Sequence, residues 1–171
     1  MVSPRALESS VHPRLQSGAH ARPLNFTVRR MTRLVALLMA AILSALGLVH
    51  IYWALGGRSG SGSAVPELSG RPAFEPSRPG TLAVAIALFA AALLIATAGR
   101  LLVDPLAPPT VRLLTFCLAA VFLARAVGDF RLVGFFKRVQ GSRFARLDTL
   151  VYAPLCLILG IAALFVAYHD V

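Results

Sequence analysis

Acidic residues are scarce in this chain: seven Asp and Glu stand against 17 Lys and Arg in 171 residues, and only 14% of positions are charged. With 57% hydrophobic residues, so few charges would leave a water-soluble domain with an uncovered apolar surface far beyond the few hundred Å² usually tolerated, which excludes that class. Cysteine is reduced to Cys117 and Cys156 with no Cys-x-x-Cys spacing, so redox chemistry has weak support and two buried apolar thiols are the better reading. Of four histidines, His12 and His20 lie near one terminus and His169 near the other, leaving His50 alone within an apolar stretch. Metal and haem centres need converging ligands, so no metal and no cofactor is expected. A Gly-x-Ser-x-Gly elbow, a phosphate-binding Gly-rich loop and a His-Glu-x-x-His pair are all missing. The run from Gly56 to Gly62 resembles a phosphate cradle only in composition and reads as a flexible exit from a helix. There is no internal repeat.

What the chain does have is four long apolar stretches: 34–55, 81–98, 111–127 and 149–168. A hydrocarbon core about 30 Å thick takes about 20 apolar residues of helix, because unpaired backbone groups cannot face lipid. Arg33 precedes the first stretch, Arg100 follows the second, and Pro108 and Pro109 precede the third, which fixes the boundaries. The expected fold is all-α, a four-transmembrane-helix bundle over residues 31–171, preceded by a disordered tail over 1–30 rich in Ser, Pro, Arg and His. Met31 opens Met-Thr-Arg directly before the first span, so we expect it to be the true start; the intact mass of protein from the native gene tests this. The net charge of +10 lies in short loops beside apolar spans, and no basic stripe with interleaved aromatics appears. The bilayer is therefore the expected partner and nucleic acid is not. Small residues at Ala36, Ala40 and Ser44, at Ala83, Ala87 and Ala91, and at Gly160, Ala163 and Ala167 suit close helix approach, within one chain or in a homo-oligomer.

Four spans put both termini and the loop near Arg100 on one side, and the loops 56–80 and 128–148 on the other. Counted from Met1, eight basic residues stand on the first side and nine on the second, which sets no orientation; counted from Met31, three stand against nine, and the positive-inside rule then places the loops 56–80 and 128–148 in the cytoplasm. Polar residues gather on that second face. His50, Tyr52 and Trp53 close the first helix, Glu67 follows in the loop, Arg125 and Asp129 close the third helix, and Asp148 and Tyr152 open the fourth. Residues three or four apart share a helix face. His50 and Trp53 should point together, Arg125 should pair with Asp129 or Asp148, and Asp148 should bond the Tyr152 hydroxyl. An ionisable side chain within a span costs several kcal/mol unless it snorkels or finds a partner, which makes Arg125 a default functional candidate. Against this stand plainer readings: an aromatic belt for Tyr52 and Trp53, an ion-pair network for Arg125, Asp129 and Asp148, and an interfacial histidine for His50. Pro154 should kink the fourth helix and free the Leu150 carbonyl.

Several blocks resemble one family: His50-Ile-Tyr-Trp-Ala-Leu-Gly-Gly57, Val65-Pro-Glu67, Arg125-Ala-Val-Gly-Asp-Phe-Arg131 with Gly134-Phe-Phe-Lys137, and Phe144 through Cys156. They are similar to the small bacterial membrane proteins of domain-of-unknown-function family 3995, over about residues 34 to 168. The resemblance implies a four-helix membrane domain with no assigned activity, and the expected location is the bacterial plasma membrane. The favoured expectation is a site that binds or moves a small polar or headgroup-like ligand, with Arg125 attracting an anion, Glu67 or Asp129 orienting it and Trp53 packing on its apolar part. Two rivals are an enzyme with His50 as general base oriented by Asp148 or Asp129, and a structural protein that docks a partner or anionic lipid through the loop 128–146. A His50–carboxylate bond in an open cavity favours the enzyme; a dry ion pair at Arg125 favours the structural role.

Overall fold

A computed structural model of the protein describes residues 21–68, 71–102 and 108–169, with the backbone alone at 21–25 and 68. Helix α1 is Ala21–Ala54, α2 is Arg78–Ala98 and α3 is Pro108–Val127. The fourth segment joins α4, Arg143–Leu147, a π-helical turn at Asp148–Tyr152 and α5, Ala153–His169. Four helical segments are long and apolar enough to cross a membrane: Phe26–Ala54, Arg78–Ala98, Pro108–Val127 and Arg143–His169. The protein is an all-α four-helix membrane protein. Its only strands among the described residues are β1, Glu67–Leu68, and β2, Arg71–Pro72, paired antiparallel as a short hairpin.

Local chemistry sets most of these ends. The Ser77 hydroxyl accepts from Gly80 N at 3.2 Å to cap α2, with Pro79 in the first turn, and the Ser142 hydroxyl accepts from Ala145 N at 3.0 Å to cap α4; serine at these positions satisfies amide donors that have no helical acceptor. Pro108 and Pro109 open α3, where a missing N–H costs nothing. Two expectations shift. Residues 21–30 are helical rather than disordered, because α1 extends upstream with Arg29, Arg30 and Arg33 exposed around a buried Thr32 whose hydroxyl bonds the Val28 carbonyl at 3.0 Å. The remainder of the expected tail, residues 1–20, lies outside the described residues. The Pro154 effect takes the form of a π turn: Ala153 N–H reaches back five residues to the Asp148 carbonyl, and Pro154 has no N–H to offer Leu150.

Packing pairs α1 with α2 and α3 with α5 as close antiparallel hairpins; α1 also lies on α5, while α2 and α3 touch more sparsely. The core runs through Ala36, Met39 and Leu43, Ala91, Ala92 and Ile95, Val111 and Ala119, and Leu159, Ala163 and Val166. Small residues act here as expected at Ala36, Ala91, Gly160, Ala163 and Ala167, all buried, but not at Ala83 and Ala87, which are exposed while Ala85, Ala92 and Ala98 of the same helix face inward. The outward face carries Leu37, Leu38, Ile86, Leu93, Leu113, Val121, Ile158 and Ile161, all exposed. Such a surface is stable in contact with acyl chains. Gly160 sits so close to α3 that a Cβ there would lie 2.7 Å from Leu123 Cγ and 3.2 Å from its backbone N. Gly160→Leu should therefore force α3 and α5 apart and cost about 1–3 kcal/mol, read as a lowered unfolding midpoint of the detergent-solubilised protein; an unchanged midpoint would show that this contact does not hold the hairpin.

Candidate functional site

Asp148 stands where α4 meets the π turn, and its side chain has 0% exposure. A carboxylate so placed requires compensating donors, and it has three. Arg125 Nη2, from the end of α3, donates to Oδ1 at 2.9 Å. Gly134 N donates to Oδ2 at 2.7 Å and Lys137 Nζ to the same oxygen at 3.1 Å. Lys137 Nζ also donates to the Gly134 carbonyl at 3.1 Å and to Thr149 Oγ1 at 2.6 Å, and Thr149 in turn donates to the Ala145 carbonyl at 3.1 Å. The Lys137 side chain is 3% exposed and that of Arg125 33%. One carboxylate thus joins three segments: the end of α3, the following loop and the start of the fourth span.

The loop from Gly128 to Gly141 is itself closely built. Gly128 and Gly134 have φ of +92° and +86°, a region open to glycine at little cost, and a Cβ on either would collide with backbone of the other or its neighbour. Phe135 N donates to the Ala126 carbonyl at 2.9 Å, folding the loop back on α3. Asp129 Oδ1 accepts from the amides of Arg131, Leu132 and Val133 at 2.9, 2.7 and 3.0 Å. These amide bonds, Val133 first and Leu132 next, hold the Asp129 carboxyl below its ordinary pKa, as donors to the charged form do.

A separate opening lies where α1 ends. Trp53 Nε1 donates to the Ser59 carbonyl at 2.8 Å, and the His50 and Trp53 rings meet edge to face at 5.0 Å. His50 Nδ1 lies 2.8 Å from the Leu46 carbonyl; since a carbonyl only accepts, Nδ1 carries a proton, and in the neutral ring Nε2 is the acceptor. These rings line a cleft of about 780 Å³ together with Arg58, Glu75, Arg78, Thr81 and Val84. A smaller hollow of about 350 Å³ beside it is bounded by Glu67, Phe74 and Glu75.

The residues singled out from sequence therefore divide. His50 and Trp53 do share a face. Arg125 pairs with Asp148 and not with Asp129, because Gly128 turns the chain out of the helix and carries Asp129 away. Tyr152 does not bond Asp148; its hydroxyl donates to the Ser63 carbonyl at 3.3 Å and ties the first loop to the fourth span. Neither Asp129 nor Asp148 is hydrogen-bonded to His50, so the orienting carboxylate of the enzyme reading is missing from those two positions. Tyr52 is exposed at the boundary, as a belt residue would be. Cys117 and Cys156 are both free, Cys117 exposed and Cys156 partly so, so neither is the fully buried thiol expected. Among the described residues no group of three His, Cys, Asp or Glu could hold a metal ion. Sequence reasoning missed Lys137, whose signal is that it is the sole lysine among 17 basic residues.

An apolar four-span bundle with a buried ion cluster at one boundary defines an integral membrane protein. The family model described as a protein of unknown function, DUF3995, matches residues 43–163, and the chain belongs to that family. No curated protein and no solved structure matches it. The matched stretch contains the whole Asp148 cluster and the His50 and Trp53 pair.

Removing Asp148 leaves Arg125 and Lys137 without a carboxylate partner. Asp148→Ala should cost about 3–5 kcal/mol, the range for breaking one partner of a buried pair, and Asp148→Ala with Lys137→Met should recover part of it; unfolding midpoints in detergent measure both. Asp129 has a depressed pKa, so its stabilisation is fully present above the unfolded value near 3.8 and is lost as pH falls through the lower folded value. Amide-exchange protection at Arg131, Leu132 and Val133 should fall in that acid window, and in Asp129→Asn it should already be low at neutral pH.

Proposed function

We propose that this protein binds an amphiphile with an anionic headgroup at the cleft between the end of α1 and the start of α2. The observation that carries this reading is the company in that cleft: two exposed guanidinium groups, Arg58 and Arg78, beside the Trp53 and His50 rings at a membrane boundary, against the single carboxylate of Glu75. Arg58 and Arg78 hold the anion, Trp53 packs on the adjoining glycerol or chain, and His50 Nε2 accepts a hydroxyl donor. Val84 of the cleft and Ala87 and Ala91 of α2 lie three and seven residues apart, on one helix face, and the two alanines enter an apolar groove of about 610 Å³ between α2 and α3. A chain entering at the cleft would continue along that groove. Arg125 and Asp148 have a structural part in this reading, since Arg125 Nη2 is held by Asp148 Oδ1 inside the cluster with Lys137. Counted from Met31, the excess of basic residues on this face supports its assignment to the cytoplasmic side of the plasma membrane.

Trp53 is the sole tryptophan, so intrinsic emission reports this cleft directly. In nanodiscs, raising the phosphatidylglycerol content should shift Trp53 emission and raise the unfolding midpoint, whereas phosphatidylcholine alone should do neither. At about 1 kcal/mol for each arginine near the anion, Arg58→Ala with Arg78→Ala should weaken the response roughly thirtyfold. An equal response to both lipids, or one that survives the double substitution, would refute the assignment.

A further inference from the structure

The loop between α3 and α4 is tied by polar interactions and turns its aromatic rings outward. Phe130 and Phe136 are more than half exposed and Phe135 is exposed as well, while Lys137 between Phe136 and Arg138 turns inward to Asp148. Phe130 has φ +60°, a left-handed conformation unfavourable for a bulky side chain. Such a conformation persists only where its surroundings impose it, and here they do: Asp129 gathers the three amides after Phe130, and Gly128 and Gly134 interlock beneath. The Phe130 and Phe136 rings come to 6.2 Å of each other. Arg138 N donates to the Arg131 carbonyl at 3.2 Å and Val139 N to the same oxygen at 3.0 Å, so two exposed arginines stand on neighbouring backbone beside the two rings. The nearby carboxylates are engaged, Asp129 by amides and Asp148 by the buried cluster, and among the described residues neither Arg131 nor Arg138 has an acidic partner.

From this we propose that residues 130–138 form a preformed anchor in the anionic leaflet of the membrane the protein spans, with Phe130 and Phe136 seated at the acyl boundary and Arg131 and Arg138 holding lipid phosphates. The occupant is a lipid surface because the rings are flanked by cations at the end of a spanning helix, with exposed Val127 leading into the loop from α3 and exposed Leu150 and Val151 beyond it in the fourth span. Aromatic rings favour that depth and basic side chains favour its charge. This anchor is distinct from the cleft at α1 and does not depend on it.

The test places an indole on the loop. Phe136→Trp in a Trp53→Phe background leaves one tryptophan, and the full chain is reconstituted in vesicles doped with lipid brominated at shallow acyl positions. Quenching should be at least twofold stronger from brominated phosphatidylglycerol than from brominated phosphatidylcholine at equal mole fraction, and Arg131→Gln with Arg138→Gln should remove the difference without moving the unfolding midpoint. Phe130→Trp in the same background should behave alike. An unquenched indole, as expected for a loop that faces water or docks a soluble protein, overturns the proposal, as does equal quenching by both lipids. Soluble glycerol phosphate added to the vesicles should leave the quenching unchanged; its loss would assign the arginines to a free anion instead.

Discussion

A carboxylate with no solvent contact at the boundary of a bilayer has to be neutralised by the chain around it, and meeting that need at Asp148 organises one whole face of the protein. Its two oxygens draw Arg125 from α3, and Lys137 with the Gly134 amide from the loop, to a single point. Apolar packing of α3 on α5 brings the helices side by side but is permissive about the path of the chain between them. The ion cluster is specific: a loop in which Lys137 turned outward would leave Asp148 with one cation, a loss of several kcal/mol in a desolvated site.

The π turn and the cluster depend on each other. An extra residue in one helical turn rotates the preceding part of the helix by about 100° relative to the part beyond the turn. Asp148 opens that turn, while Leu159, Gly160, Ala163 and Val166 on its far side form the buried stripe against α3 and α1. The wide turn therefore lets α5 bury its small face while α4 presents Asp148 to the end of α3. Pro154 makes the arrangement inexpensive, since the carbonyl that a regular helix would pair with its N–H has no donor in either case.

The four spans were legible because they rest on a physical demand that acts locally: apolar length closed by Arg33, Arg100 and the Pro108–Pro109 pair. The partners of Arg125 were only half legible. Spacing offered Asp129 at four residues and Asp148 through topology, and the spacing rule failed because α3 ends at Val127, so Gly128 and Asp129 keep no helical phase. The same cause separates Asp148 from Tyr152, whose four-residue interval crosses a π turn and no longer marks one face. Lys137 was hidden by its neighbours, standing in a run of loop charges that reads as solvated. Its difference from the arginines is chemical: a compact ammonium fits between a carboxylate, a carbonyl and a hydroxyl where a planar guanidinium would not.

Scarcity of acid, the first feature of the composition, explains the division of labour on this face. Glu67, Glu75, Asp129 and Asp148 are its described carboxylates. Asp129 is occupied by backbone amides and Asp148 by Arg125 and Lys137. Glu67 and Glu75 remain against the exposed Arg58, Arg71, Arg78, Arg131, Arg138, Arg143 and Arg146. Within the protein no arrangement of side chains can balance that surplus, and at a membrane boundary counter-ions in bulk water are a weaker remedy than fixed phosphates in the headgroup layer. The buried cluster takes up one carboxylate and two cations, so it leaves the surplus on the surface standing. Phosphates of an anionic leaflet, in the cleft beside Trp53 and beneath the rings of Phe130 and Phe136 as proposed, would close that surplus.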